Sequence, residues 1–372
     1  MQVYKSKSMC TGCGACANIC PKQCVILQPD EKGFIYPQVD ENLCIDCKAC
    51  KKVCHTYITE KKDFNEQLFG FINPDEHVLK CSSSGGFFYC IASKIIQQKG
   101  YVCGVVFDEN FYTHHEVTNE LDIIKAMCGS KYVQSDTMSV YSDIKKLLND
   151  GNIVLFTGTP CQVIGLKTFL KKEYNNLYTI DFICSSIPSP LIFRKYISEI
   201  EEKYGKVKKI SFRDKRNGWH DYGISVRCEN GEIYDKNKEN LYMKGFIGGI
   251  YSRESCSHCP AKERIGYLSD LTIGDMWGVQ EIMPNVECSM GVSAVIVHTE
   301  KGYELVEKEQ LIPCDIEMLK IKNPKYHNSY IPYHDLEAFW KILNNKGLKE
   351  AFDYVYNPSI LKKIKMKFGN KK

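Results

Sequence analysis

From Leu68 onward the chain alternates short apolar runs with stretches whose apolar residues recur at three- and four-residue steps. That is the pattern of strands exchanging with amphipathic helices in an α/β domain. Phe87, Phe88, Ile91, Ala92, Ile95 and Ile96 share one face of a helix predicted over 87–98; Gly100 ends it and an apolar strand is predicted over 101–107. A polar loop at 128–136 leads into a predicted helix over 137–148. A strand at 153–156 runs into Thr157-Gly158-Thr159-Pro160, where Thr159 as N-cap and Pro160 as first helical residue predict a helix over 161–172. The next strand, 177–183, is followed by a Ser/Pro turn and a helix reaching residue 204. A strand at 210–212 and a hairpin of 222–228 with 232–234 come next, turning at Glu229-Asn230-Gly231. Strands at 271–278 and 292–298 and a helix at 300–310 close the pattern. Carboxyl ends of strands line the ligand crevice in open α/β sheets, so the turns bearing Cys161 and Cys184 are placed for chemistry.

Ahead of this domain the pattern is different. Polar residues at 59–67 read as a linker, and before it stand Cys10, Cys13, Cys16 and Cys20, then Cys44, Cys47, Cys50 and Cys54. Two copies of C-x2-C-x2-C-x3-C are the spacing of bacterial two-cluster ferredoxins, in which the fourth cysteine of each copy ligates the other cluster. Cys10, Cys13, Cys16 and Cys54 are therefore expected to hold one [4Fe–4S] cluster, and Cys44, Cys47, Cys50 and Cys20 the other. Gly12 and Gly14 are expected to let backbone amides approach the cluster sulfurs. Zinc does not require this interleaved octet, and disulfides require an oxidising compartment. The expected organisation is a two-cluster ferredoxin-type domain over 1–60 and a larger mixed-sheet α/β domain over 61–372.

Composition adds little except through cysteine. Twenty cysteines among 372 residues point to metal and redox chemistry under reducing conditions, while a net charge of +4 gives no reason to expect nucleic acid. The nine residues before Cys10 hold no apolar export core, and no run of eighteen apolar residues exists, so a cytoplasmic protein without a membrane span is expected.

Other motifs are less specific. Ser82-Ser83-Ser84-Gly85-Gly86 opens the helix over 87–98 and offers a serine cap, free N–H groups and a positive dipole end that suit a phosphate or other anion; by itself the pattern is weak, since many such turns only cap a helix. Lys131 and Tyr132, in the loop Gly129-Ser130-Lys131-Tyr132-Val133-Gln134-Ser135, either touch a cofactor or face solvent. The basic loop Arg213-Asp214-Lys215-Arg216-Asn217-Gly218-Trp219 reads as solvated, with an anion grip as the alternative. Cys256 and Cys259 form a lone C-x2-C, open to zinc, a redox dithiol or half a cluster site. Cys161 and Cys184 either complete a set of four with them or are small buried hydrophobes. Asp275, Lys215 and His220 are the polar strand-end and loop residues available for proton transfer. Cys24, Cys81, Cys90, Cys103, Cys128, Cys228, Cys288 and Cys314 lack ligand-like spacing. The lysine-rich end, 359–372, reads as a solvated terminus, with an anionic surface as alternative partner.

Taken in order, S-S-S-G-G, G-S-K-Y-V-Q-S, T-G-T-P-C-Q, C-S-S-I-P-S-P, R-D-K-R-N-G-W, C-S-H-C-P and I-G-D-M-W-G after a two-cluster segment resemble the coenzyme F420 hydrogenase/dehydrogenase beta-subunit family. The resemblance implies an iron–sulfur flavoprotein. Ser83, Ser84, Gly85, Gly86, Gly129, Ser130, Lys131, Tyr132, Gln134 and Ser135 would then belong to an FAD site, and Cys161, Cys184, Cys256 and Cys259 to a third [4Fe–4S] cluster. It also implies a ferredoxin-like electron carrier as partner and an organic substrate or the deazaflavin F420 as the far end of the chain. The alternative is an electron-transfer subunit with no substrate of its own. Relatives usually read C-H-G where this chain has Cys184-Ser185-Ser186, so contacts beside that ligand differ.

Overall fold

The computed structural model describes residues 1–61, 66–263, 269–332 and 336–356; the lysine-rich end and part of the linker lie outside them. The N-terminal segment folds around a hairpin of β1 (Val25–Pro29) and β2 (Ile35–Val39) and two one-turn helices, Ala15–Asn18 and Ala49–Lys52, each carrying the third cysteine of its copy.

The larger part is built on an eight-stranded mixed sheet. Its strands are β3 (Gln67–Phe71), β4 (Tyr101–Phe107), β5 (Thr113–Thr118), β6 (Val154–Thr157), β7 (Leu177–Phe182) and, after an insertion, β11 (Leu271–Asp275), β12 (Ser293–Val297) and β13 (Ile312–Cys314). The insertion contributes a separate antiparallel sheet of β8 (Val207–Asp214), β9 (Gly223–Cys228) and β10 (Gly231–Lys236). In the large sheet the order is β13-β3-β12-β11-β7-β6-β4-β5, with β11, β7, β6 and β4 parallel and the flanking strands antiparallel.

Alternation along the central strands sorts side chains between two covers. Val102, Leu155, Ile180 and Val295 pack under the helices Phe87–Gln97, Leu121–Met127 and Glu300–Val306. Cys103, Val154 and Phe156 pack under Val140–Asn149 and Pro160–Leu170 together with Cys13, Ala15 and Val53 of the N-terminal segment. The first cysteine loop thus completes the core on that face. A third core joins the small sheet to the helices Pro190–Tyr204, Leu241–Ile247, Leu336–Lys346 and Leu348–Tyr356.

Several expected bounds move. Thr137 lies ahead of its helix, which begins at Val140, and the helix Pro160–Leu170 is buried at every position from Cys161 to Leu170. That helix is covered on both sides, by the sheet and by the N-terminal segment, so its buried Gln162, Lys167 and Thr168 mark no solvent face.

Candidate redox site

Two small cavities in the N-terminal segment collect the eight cysteines into interleaved sets. Cys10, Cys13, Cys16 and Cys54 line one, the inner set; Cys20, Cys44, Cys47 and Cys50 line the other, the outer set. Among the described residues, no three His, Cys, Asp or Glu side chains converge tightly enough for a single metal ion. In a cube each thiolate takes a different iron, and two interleaved sets of four supply the eight sulfurs that two cubes need. Burial pushes the Cys13 thiol up to about 12, and that of Cys16 up as well, the neighbouring cysteines adding to it. Such thiols become ligands only where a metal stabilises their anions. Cys24, unmarked by spacing, also lines the outer cavity, with its sulfur 3.3 Å from that of Cys20.

The inner set is held by the larger part of the molecule. The Tyr141 hydroxyl lies 2.7 Å from Cys13 O and 2.8 Å from Gln162 O, Ile35 N–H donates to Gln134 Oε1 (3.2 Å), and Ser189 Oγ donates to Lys32 O (2.5 Å). A Cβ on Gly165 would stand 3.0 Å from Cys13 Sγ, so the helix Pro160–Leu170 rests directly on this cysteine loop.

The third set is assembled from three places in the chain. Cys161 opens the helix Pro160–Leu170, Cys184 follows β7, and Cys256 and Cys259 lie on and just after the 3-10 turn Glu254–His258. Burial and the neighbouring thiols push the Cys256 thiol up to about 12 and raise those of Cys161 and Cys184. Cys161 and Cys256 share an apolar cluster with Cys10, so this set adjoins the inner one.

Cys184 also lines a cleft of about 490 Å³, within the usual range for small-molecule sites. Nine of the ten residues assigned to a flavin site border it: Ser83, Ser84, Gly86, Gly129, Ser130, Lys131, Tyr132, Gln134 and Ser135. Gly85 does not; a Cβ there would lie 2.2 Å from Phe71 O, so its role is close packing. The two loops are tied directly, Ser130 N–H donating to Ser83 Oγ (2.7 Å) with the hydroxyls 2.8 Å apart. The expected serine cap is replaced by Gly86 in a left-handed conformation without a side-chain cap, which leaves the first-turn N–H groups of Phe87–Gln97 free of a side-chain acceptor at the cleft. Phe182, Ile183, Met243, Phe246 and Trp277 supply apolar walls. Apolar walls with a few polar groups and an anion-favouring helix end fit a planar aromatic cofactor carrying phosphates.

Some side chains do other work than expected. Lys131 donates to Ala126 O (2.9 Å) and Met127 O (3.1 Å) at the end of Leu121–Met127, and burial lowers its pKa to about 8. It caps a helix from the cleft wall. The basic loop is not solvated at Arg213, Lys215 or Trp219, all buried. Arg213 forms a two-point ion pair with Asp275 (2.7 and 3.3 Å), Trp219 Nε1 donates to the same carboxylate (3.2 Å), and Lys215 donates to Ser84 O and Met290 O. Asp275 lines the cleft, whereas Lys215 and His220 are not among its lining residues. Arg253, fully buried beside Cys10, carried no sequence signal except its place three residues before Cys256.

Residues 151–318 match the family model that describes the C terminus of the coenzyme F420 hydrogenase/dehydrogenase beta subunit, and residues 9–58 match the 4Fe-4S dicluster domain. A ferredoxin of Methanocaldococcus jannaschii, described as uncharacterized, is 36% identical over 56 residues, spanning 15% of this chain and 71% of that protein. A chain in a structure of the F420-reducing [NiFe] hydrogenase complex from Methanosarcina barkeri aligns over 77% of this chain and 96% of its own length, with 16% identity and a TM-score of 0.45. Among the described residues no helix is long and apolar enough to cross a membrane.

Proposed function

Because the chain belongs to the coenzyme F420 hydrogenase/dehydrogenase beta-subunit family and carries a 4Fe-4S dicluster domain at residues 9–58, we propose that it is an iron–sulfur flavoprotein oxidoreductase. Electrons enter from a ferredoxin-type carrier at the outer set and move through the inner and third sets to FAD in the cleft. The far end is an organic substrate or coenzyme F420, and the direction follows the potentials of the two ends.

One observation carries this reading: the cysteine sets run in order from an exposed edge, at Cys47, through the inner set, where Cys10, Cys13 and Cys16 are buried, to Cys184 on the cleft wall. Iron–sulfur cubes hold single electrons and a flavin exchanges one and two, so the two groups together couple a one-electron carrier to two-electron chemistry. The chain's own residues do the positioning. Tyr141 and Gly165 fix the Cys13 loop, the Arg213–Asp275 pair braces the cleft wall, and the helix end at Gly86 faces the space where phosphates would lie.

The test is anaerobic purification with iron, sulfide and flavin measured together. About twelve irons and one FAD per chain are expected for three cubes. About eight irons without flavin would remove the cleft from the electron path.

A second reading, an electron-transfer subunit without a substrate, draws support from the apolar edge at the outer set, where Leu43 and Ile45 are 56% and 59% exposed. Such an edge suits a partner protein. On this reading the isolated chain reduces artificial acceptors but turns over no metabolite until the partner is added.

A further inference from the structure

Arg253 has no exposed surface, and among the described residues no carboxylate lies within ion-pair distance of it. A guanidinium remains charged in proteins, and a buried charge without a counter-charge is strongly unfavourable. Its neighbours are specific. Nε donates to Cys10 O (2.8 Å), Nη2 donates to Ile35 O (3.0 Å) and points at Cys10 Sγ (3.8 Å), and Nη1 donates to Gln134 Oε1 (3.3 Å). The Tyr36 ring lies 4.0 Å from the guanidinium carbon. Of these groups, only the Cys10 sulfur acquires a formal negative charge when it ligates iron. The backbone of Arg253 belongs to the third set's loop, since its N–H donates to Ile187 O (2.8 Å) and its carbonyl accepts from Cys256 N–H (3.0 Å).

We propose that Arg253 is the counter-charge of the inner cluster, a cation built into the loop of the third cysteine set that favours the reduced form of the inner cluster over that of the outer one. This rests on the iron–sulfur part of the proposed function and is independent of the flavin. An added electron in a dry site is stabilised strongly by a fixed cation within a few ångströms. The lysines near the outer set, Lys22, Lys48 and Lys52, are exposed, where water and salt screen them. The forked guanidinium reaches Cys10, Ile35 and Gln134 together, a task a lysine ammonium cannot reproduce. The electron would therefore rest closer to the cleft than the repeated cysteine spacing alone provides.

The experiment is a mediator-poised redox titration of the full chain, followed by electron paramagnetic resonance, with inner and outer signals separated by comparison with Cys47→Ser. In Arg253→Met the inner cluster's one-electron equilibrium should shift at least tenfold toward the oxidised form, a 59 mV change for such a couple, with the outer cluster unmoved. Arg253→Lys should shift it less. Gln134→Glu keeps the cation but sets a carboxylate beside it, and should shift the inner cluster in the same direction; it carries the test alone if Arg253→Met fails to hold the inner cluster. An inner equilibrium within twofold of the parent in Gln134→Glu and in any loaded Arg253→Met, or equal shifts in both clusters, would overturn the proposal. Absence of iron from the unsubstituted chain would instead overturn the proposed function.

Discussion

The two cysteine loops are one sequence pattern in two surroundings. Cys10-Thr11-Gly12-Cys13-Gly14-Ala15-Cys16 and Cys44-Ile45-Asp46-Cys47-Lys48-Ala49-Cys50 repeat the same backbone: φ is +70° at Gly12 and +50° at Asp46, +81° at Gly14 and +60° at Lys48. Each then opens a one-turn helix. Left-handed backbone is easiest for glycine, yet the outer loop adopts it with Asp46 and Lys48. What the inner loop lacks is room. A Cβ at Gly12 would lie 2.6 Å from Gln134 Nε2, and one at Gly14 only 1.9 Å from Thr137 Oγ1. The glycines are there because the larger part of the protein packs on this loop, so similar spacing yields a packed joint in one copy and an open edge in the other.

Replacing one cysteine in each copy tests this most severely. Cys47→Ser and Cys13→Ser should each lose about four irons per chain, one cube. Only Cys13→Ser should also loosen the joint, because Cys13 belongs to the core shared with Phe156 and Leu166. Iron analysis with thermal unfolding separates the two, and equal melting temperatures would erase the distinction. Next in size is Gly14→Ala. Left-handed strain of about 1 to 2 kcal/mol and overpacking against Thr137 of about 1 to 3 kcal/mol act together, so denaturant unfolding should show a loss of a few kcal/mol.

How far this could be read in advance follows from how local each cause is. The dicluster segment is legible because its cysteine spacing is local, and so is the α/β alternation. The joint was not legible: Gly12 and Gly14 suggest cluster contacts, and nothing nearby in sequence announces Gln134 or Thr137. The Ser83 and Ser130 loops stand out separately, but their hydrogen bond spans 47 positions. The basic loop misleads because Arg213 finds Asp275 62 positions away, and Lys215 finds carbonyls at Ser84 and Met290. Strand β5, T-H-H-E-V-T, is missed because its polar composition hides an edge strand whose His115 points into the core.

His115 gives the comparison a pH axis. Its ring stacks on Phe156 at 5.5 Å, against the core that supports the inner loop, and burial lowers its pKa from 6.5 to about 4. The unfolded chain takes up this proton first. Stability is therefore present above about pH 6.5 and declines as pH falls toward 4, by at most about 1.4 kcal/mol per pH unit. Denaturant unfolding of the apoprotein at pH 7 and pH 5 should show His115→Phe losing less stability on acidification than the parent; parallel losses would assign the acid sensitivity elsewhere.

The smallest effect is the converse substitution, Lys48→Gly. Lys48 is solvent-exposed and holds φ at +60° with no wall against it, so glycine relieves left-handed strain without opening a cavity. Glycine also adds conformational freedom to the unfolded chain, which opposes the gain by about 0.5 to 1 kcal/mol. The two nearly cancel, and the expected change is within about 1 kcal/mol of zero, with full iron content. Set beside Gly14→Ala, this is the sharpest form of the comparison, since equivalent positions of two repeats are altered in opposite senses. A loss at Lys48→Gly as large as that at Gly14→Ala would mean that the outer edge is held by a wall of its own, and the asymmetry between the loops would have to come from something other than packing.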